Sequence, residues 1–150
     1  MPRFSGTLAR TFTVERPLAD VMAVMTDPAR FSVCLTDLES ITPVGDAWRL
    51  VLKEKSEKGV HFKGDYTVRY TTQGDALTWS TTSHGNMSTQ GRAAFRALGA
   101  ARTEVTYTET IDCDMDVNRL LAVAIKPIVD REISKGVGGY LDRVKAHLES

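Results

Sequence analysis

The features of this sequence that could do chemistry are charged residues set in the apolar face of strand-like stretches. Glu109 stands between Tyr107 and Ile111 in a run that alternates with period two. Glu54 follows Leu52 in the same way, and Arg10 falls between Leu8 and Phe12. A buried charge needs a partner, and a carboxyl without one keeps its proton. These residues read either as structural ion pairs or as polar anchors on the wall of a cavity. If the first and last strands pair, Arg10 and Glu109 are expected to meet inside. A bulge that turns one of them outward would relieve the burial instead.

Most of the aromatic residues fall on the same inward faces: Trp48, Phe62, Tyr66, Tyr70, Trp79, Phe95 and Tyr107. Aromatic rings bury large apolar areas, while tyrosine and tryptophan also seek a hydrogen-bond partner. That combination suits either a packed core or an amphipathic pocket. Gly64, Thr89, Gly91 and Ala93 lie among them, and their small volume favours a pocket.

Other chemistries lack a pattern. His61, His84 and His147 are scattered, expected on an outward strand face, in a turn and in the last helical turn. No metal site is expected from them. Cys34 and Cys113 lack C-x-x-C spacing and read as free thiols in a reducing compartment. No nucleophile elbow, Walker A pattern or dinucleotide fingerprint occurs. No catalytic residue and no cofactor is assigned. Lys and Arg total 19, as do Asp and Glu, so nothing attracts nucleic acid or an anionic surface by net charge. No apolar run reaches the length of a membrane span, and the start of the chain lacks a signal-peptide core. The expectation is a cytoplasmic protein without stable membrane insertion.

The elements that must position these residues are short strands and one long helical run. At 150 residues, 42% apolar and 25% charged, the chain is expected to form one domain over 1–150. Period-two alternation predicts strands over Phe4–Val14, Glu39–Val44, Ala47–Lys55, Val60–Thr71, Ala76–Ser83, Met87–Leu98 and Arg102–Ile111. Turn residues such as Gly45-Asp46, Lys58-Gly59 and Gln73-Gly74-Asp75 separate them, as in an antiparallel meander. Pro17 opens a short helix to Met25, and a second helical turn is expected through Ala29-Arg30-Phe31. From Met115 to Leu148 the pattern is helical. It is expected as a weak helix over Val117–Ile125, capped by Asp114 or Asp116, then a kink at Pro127 and a second helix over Pro127–Leu148. Val129, Ile133, Val137, Tyr140, Leu141, Val144 and Leu148 make one apolar stripe that a curved sheet could bury. Gly136, Gly138 and Gly139 inside this helix have no explanation in the sequence beyond room at the stripe's edge for Gly136.

The order strand, short helices, six strands, long helix resembles the helix-grip fold of the START-like superfamily, which includes polyketide cyclases and lipid-transfer domains. Within it the chain is most similar to the CoxG-like proteins associated with carbon monoxide dehydrogenase. The matching pieces are Pro17, Asp27-Pro28, Cys34 ahead of Leu38-Glu39-Ser40, Val44-Gly45-Asp46, Phe62-Lys63-Gly64 and Ser88-Thr89-Gln90-Gly91-Arg92-Ala93. They are turn and packing positions spread over nearly the whole chain. The resemblance implies an α+β fold in which a seven-stranded antiparallel sheet grips the last helix. It also implies a cavity between them and neighbouring first and last strands.

The leading functional expectation is binding of a hydrophobic or amphipathic small molecule, such as a lipid, quinone or polyketide-like compound. Its wall is expected to include Arg10, Trp48, Leu52, Glu54, Phe62, Tyr66, Tyr70, Trp79, Phe95, Tyr107 and Glu109 from the strands. Ile133, Val137 and Tyr140 would complete it from the helix. The alternatives are an enzyme of the cyclase or dehydrase kind, with a carboxylate or tyrosine as general acid or base, and a maturation module that holds a protein partner. Oligomeric state has no signal in the sequence.

Overall fold

The structure is a computed structural model that describes residues 2–83 and 85–150. The turn expected at His84 lies outside the described residues. The chain opens with strand β1 (Arg3–Val14), helix α1 (Leu18–Met25), a single helical turn α2 (Pro28–Phe31) and a 3-10 turn over Ser32–Cys34. Strands β2 (Leu38–Val44), β3 (Ala47–Leu52), β4 (Lys55–Glu57), β5 (Val60–Phe62), β6 (Asp65–Gln73), β7 (Ala76–Ser83), β8 (Met87–Gly99) and β9 (Arg102–Asp114) follow. Helix α3 (Arg119–Glu149) closes the fold.

Seven strands form one antiparallel sheet in the order β1-β9-β8-β7-β6-β3-β2, so the first and last strands are neighbours. Strands β4 and β5 form a separate two-stranded hairpin. Its two-residue turn is Lys58-Gly59, both with positive φ, the geometry that suits the right-handed twist of a tight hairpin. The concave face of the sheet carries the apolar set of each strand. Val68, Leu77, Ala93, Phe95, Val105 and Tyr107 are buried there. The stripe Val129, Ile133, Val137, Tyr140, Leu141, Val144 and Leu148 on α3 is also buried. This is the helix-grip α+β architecture.

Three boundaries differ from the sequence reading. The strand expected over Ala47–Lys55 ends at Leu52. There the Lys53 amide donates to the Asp37 carbonyl at 2.8 Å rather than to the ladder. The chain leaves the sheet and alternation restarts, so Glu54 is exposed and Lys55 takes the inward place. The strand expected over Val60–Thr71 is broken at Lys63-Gly64 into β5 and β6. A Cβ on Gly64 would lie 2.9 Å from Leu52 Cδ1 and Met87 Sδ, so a side chain there would have to push these two aside. The break spans two residues, so the inward phase survives it.

The third difference is the last helix, which is continuous through Pro127. Pro127 and Val123 both face solvent, where water can take the carbonyl that the proline leaves without its helix bond. The N-cap is Asn118, whose side chain accepts from the Leu121 amide at 2.8 Å; Asp114 belongs to β9.

The glycines of α3 also acquire reasons. A Cβ on Gly138 would lie 2.9 Å from Arg10 Nη2. Arg10 reaches across from β1 to donate to the Gly138 carbonyl at 3.3 Å and to Asp142 Oδ1 at 2.8 Å. A Cβ on Gly139 would lie 2.9 Å from Arg143 Nη1, which folds back over it. Gly136 has open space beside it.

Candidate functional site: a cavity between sheet and helix

The stripe of α3 does not fill the concavity of the sheet along its whole length. A cavity of about 230 Å³ remains, open to solvent on one side. This lies just below the range of pocket volumes that take drug-sized ligands, roughly 300–1,000 Å³. The strands contribute Leu52, Phe62, Tyr66, Tyr70, Trp79, Tyr107 and Glu109 to the wall, and α3 contributes Ile133, Val137 and Tyr140. These are residues expected there from the alternation and from the helical stripe.

Four expected wall residues lie elsewhere. Arg10 is held on the outer side of α3 by Asp142 and the Gly138 carbonyl, and its predicted pairing with Glu109 does not form. In the β1–β9 register Arg10 stands opposite Tyr107, and Leu8 stands opposite Glu109. Glu54 is turned out beside His61, at 3.9 Å, by the break after Leu52. Trp48 packs against the core from β3, and Phe95 is buried in it, neither on the cavity wall. Both have the right face of the right strand. They lie at positions where the inward face meets packed core neighbours rather than the cavity.

Glu109 is the polar centre of the wall. Its exposed surface faces the cavity, and protein surrounds it otherwise. Trp79 Nε1 donates to Thr89 Oγ1 at 3.3 Å, and Thr89 Oγ1 lies 2.5 Å from Glu109 Oε2. An indole nitrogen can only donate, so the threonine hydroxyl accepts from it and passes its own proton toward the carboxylate. Tyr107 donates to Oε1 at 2.8 Å. Burial pushes the Glu109 carboxyl above its ordinary value, and the bonds from Thr89, Tyr107 and Trp79 oppose that without cancelling it. No positively charged side chain among the described residues bonds it.

Three further tyrosines face the same space. Burial pushes the phenols of Tyr66, Tyr70 and Tyr140 well above the usual range, with the Glu109 charge adding to the effect, so all stay neutral. No described residue bonds their hydroxyls, none of these oxygens is sealed off, and all three tyrosines line the cavity. An unpaired hydroxyl in an apolar wall is costly unless water or a ligand satisfies it.

At the rim, Lys55 Nζ bridges Asp37 Oδ2 at 3.0 Å and Glu132 Oε2 at 3.1 Å. This ties β4, the segment before β2 and α3 together. Burial lowers the Lys55 value, but the bonds to Asp37 and Glu132 outweigh it and leave the ammonium raised. Arg143 Nε donates to the Cys34 carbonyl at 2.7 Å. Sequence reasoning missed Lys55, Asp37, Glu132, Arg143 and Phe31 as wall residues. The helical spacing of Glu132, Ile133, Gly136, Val137, Tyr140 and Arg143 could have brought in Glu132 and Arg143; nothing local marks the others.

Among the described residues no cluster of three His, Cys, Asp or Glu side chains could hold a metal ion. Among the described residues no helix is long and apolar enough to cross a membrane.

The sheet order, the single long helix gripped by it and the open cavity between them are the START-like helix-grip architecture. Within that class, residues 11–138 match the family model of CoxG, the G-type subunit of carbon monoxide dehydrogenase, and the chain belongs to that family. Solved structures agree on the fold. An aromatase/cyclase from Streptomyces sp. R1128 superposes with a TM-score of 0.72 at 15% identity, over 97% of this chain and 94% of that one. A START superfamily protein from Mycobacterium smegmatis gives 0.69 at 10% identity, over 95% and 97%. A protein from Deinococcus radiodurans gives 0.64 at 20% identity, also over 95% and 97%. At these identities the likeness establishes architecture alone. No curated protein matches the chain in sequence.

Proposed function

We propose that this protein binds a hydrophobic or amphipathic small molecule in the cavity between the sheet and α3. One observation carries the reading: an open, mostly apolar cavity is lined by three tyrosines whose hydroxyls no described residue bonds. A core evolved only for packing would collapse onto such a space or pair those groups. Binding then comes from burial of apolar surface, with Tyr66, Tyr70, Tyr107, Tyr140 and Glu109 fixing orientation. Membership of the CoxG family and the shared fold with an aromatase/cyclase support a ligand-holding role in general terms. Lipids, quinones and polyketide-like compounds all fit that description.

Native mass spectrometry of freshly purified protein, followed by solvent extraction, tests the reading. A stoichiometric adduct that disappears in Gly136→Phe, which fills the open space beside the helix, is the expected result. Equal retention of an adduct by that variant would place its binding elsewhere.

A further inference from the structure

Five aromatic side chains on the cavity wall form a closed circuit of ring contacts. Centroid separations run 5.3 Å from Phe31 to Tyr70, 6.4 Å to Trp79, 5.2 Å to Tyr107, 6.4 Å to Tyr140 and 6.1 Å back to Phe31. The Phe31 contacts are edge-on, at interplanar angles of 66° and 76°, and the other three are tilted, at 36–49°, so the rings present both edges and faces around the space they surround. A ring face attracts a cation within roughly 6 Å. Glu109 adjoins this circuit directly. It accepts from Tyr107, a member of the circuit, and from Thr89, which itself accepts from Trp79.

Among the described residues the carboxyl has no cationic counterpart. The two cations on the cavity wall are committed elsewhere, Lys55 to Asp37 and Glu132 and Arg143 to the Cys34 carbonyl. The groups that face Glu109 are the neutral phenols of Tyr66 and Tyr70 from β6, Tyr107 from β9 and Tyr140 from α3. A buried carboxylate with hydroxyl donors on both oxygens but no positive partner is an incomplete ion pair.

Resting on the reading of the cavity as a ligand site, the geometry points to an organic ammonium ion with an apolar body as its ligand class, the cationic head inside the ring of Phe31, Tyr70, Trp79, Tyr107 and Tyr140 and against Glu109. Aromatic faces of the wall supply attraction to the head; Glu109, which gives up its proton once a cation lies beside it, supplies the counter-charge; and the hydroxyls of Tyr66, Tyr70 and Tyr140 accept from any N–H the head carries. Neutral ligands of the same shape lose the first two contributions. At about 230 Å³ the cavity suits a compact head with a small apolar body.

Two isosteric probes isolate the charge: phenyltrimethylammonium and tert-butylbenzene. Titrated into the full chain at near-neutral pH and followed by tryptophan fluorescence or calorimetry, the cation is expected to bind at least about tenfold more tightly. Glu109→Gln, which keeps the shape of the side chain and removes its charge, should erase most of that preference, lowering affinity for the cation far more than for tert-butylbenzene. Tyr140→Leu serves as a second variant and should weaken the cation more than the hydrocarbon. If tert-butylbenzene binds the wild-type protein as tightly as the cation does, the cavity is a ligand site but not a cation site, and this inference falls alone. If neither probe binds, the cavity reading falls with it.

Discussion

Gly136 is the position where the cavity can be closed without touching any bond. It lies within α3, on the cavity wall, and a Cβ built there meets nothing within 4 Å. Gly136→Ala removes the cost of a glycine in a helix interior, about 1 kcal/mol. For a chain of this size that raises Tm by about 2–4 °C. Gly136→Phe goes further. Its ring enters the cavity beside Val137 and Ile133, and burying a side chain of that size yields about 1.5–3 kcal/mol when the space is empty. Some of this is lost to imperfect fit, since forced packing costs about 1–3 kcal/mol. The net expectation is a variant at least as stable as the parent that binds an apolar reporter at least about tenfold more weakly. Thermal unfolding by circular dichroism and titration with an environment-sensitive dye measure the two quantities on the same samples. A Gly136→Phe protein that melts well below the parent and binds the dye equally well would refute the placement of the cavity.

Three further expectations follow from the same contacts. Because burial raises the Glu109 carboxyl above its unfolded value, the folded state holds its proton more tightly than the unfolded chain. Stability should therefore fall as pH rises from the ordinary carboxyl value toward the raised one and then level off. Glu109→Gln should lack this component when melting curves are compared across that range. Arg10→Ala should cost about 1 kcal/mol in denaturant unfolding through the lost bonds to Asp142 and the Gly138 carbonyl, with no change in reporter affinity. Cys34 and Cys113 are buried free thiols, the first raised by burial and the second pushed up to about 12 by burial and by Asp112 and Asp114. A thiol reagent at neutral pH should label neither quickly in the folded protein and both once it is unfolded.

The inward and outward faces of nearly every strand, and the buried stripe of α3, were legible in the sequence because side-chain direction follows a fixed local period. Alternation thereby marked Tyr66, Tyr70, Trp79, Tyr107 and Glu109 as inward, and helical spacing marked Ile133, Val137 and Tyr140; all of them line the cavity. Where alternation met a break, as after Leu52, the phase was lost, and Glu54 and Lys55 exchanged places. Which inward positions meet packed neighbours, and which meet the cavity, is set by the assembled fold. That is why Phe95 and Trp48 are packing residues while Tyr107 is a wall residue. The same assembly sends Arg10 to a helix carbonyl 128 positions away rather than to Glu109 on the neighbouring strand. A guanidinium goes where an acceptor and open space coincide. Gly138 provides both, and period-two spacing carries no information about which helix will lie across the strand.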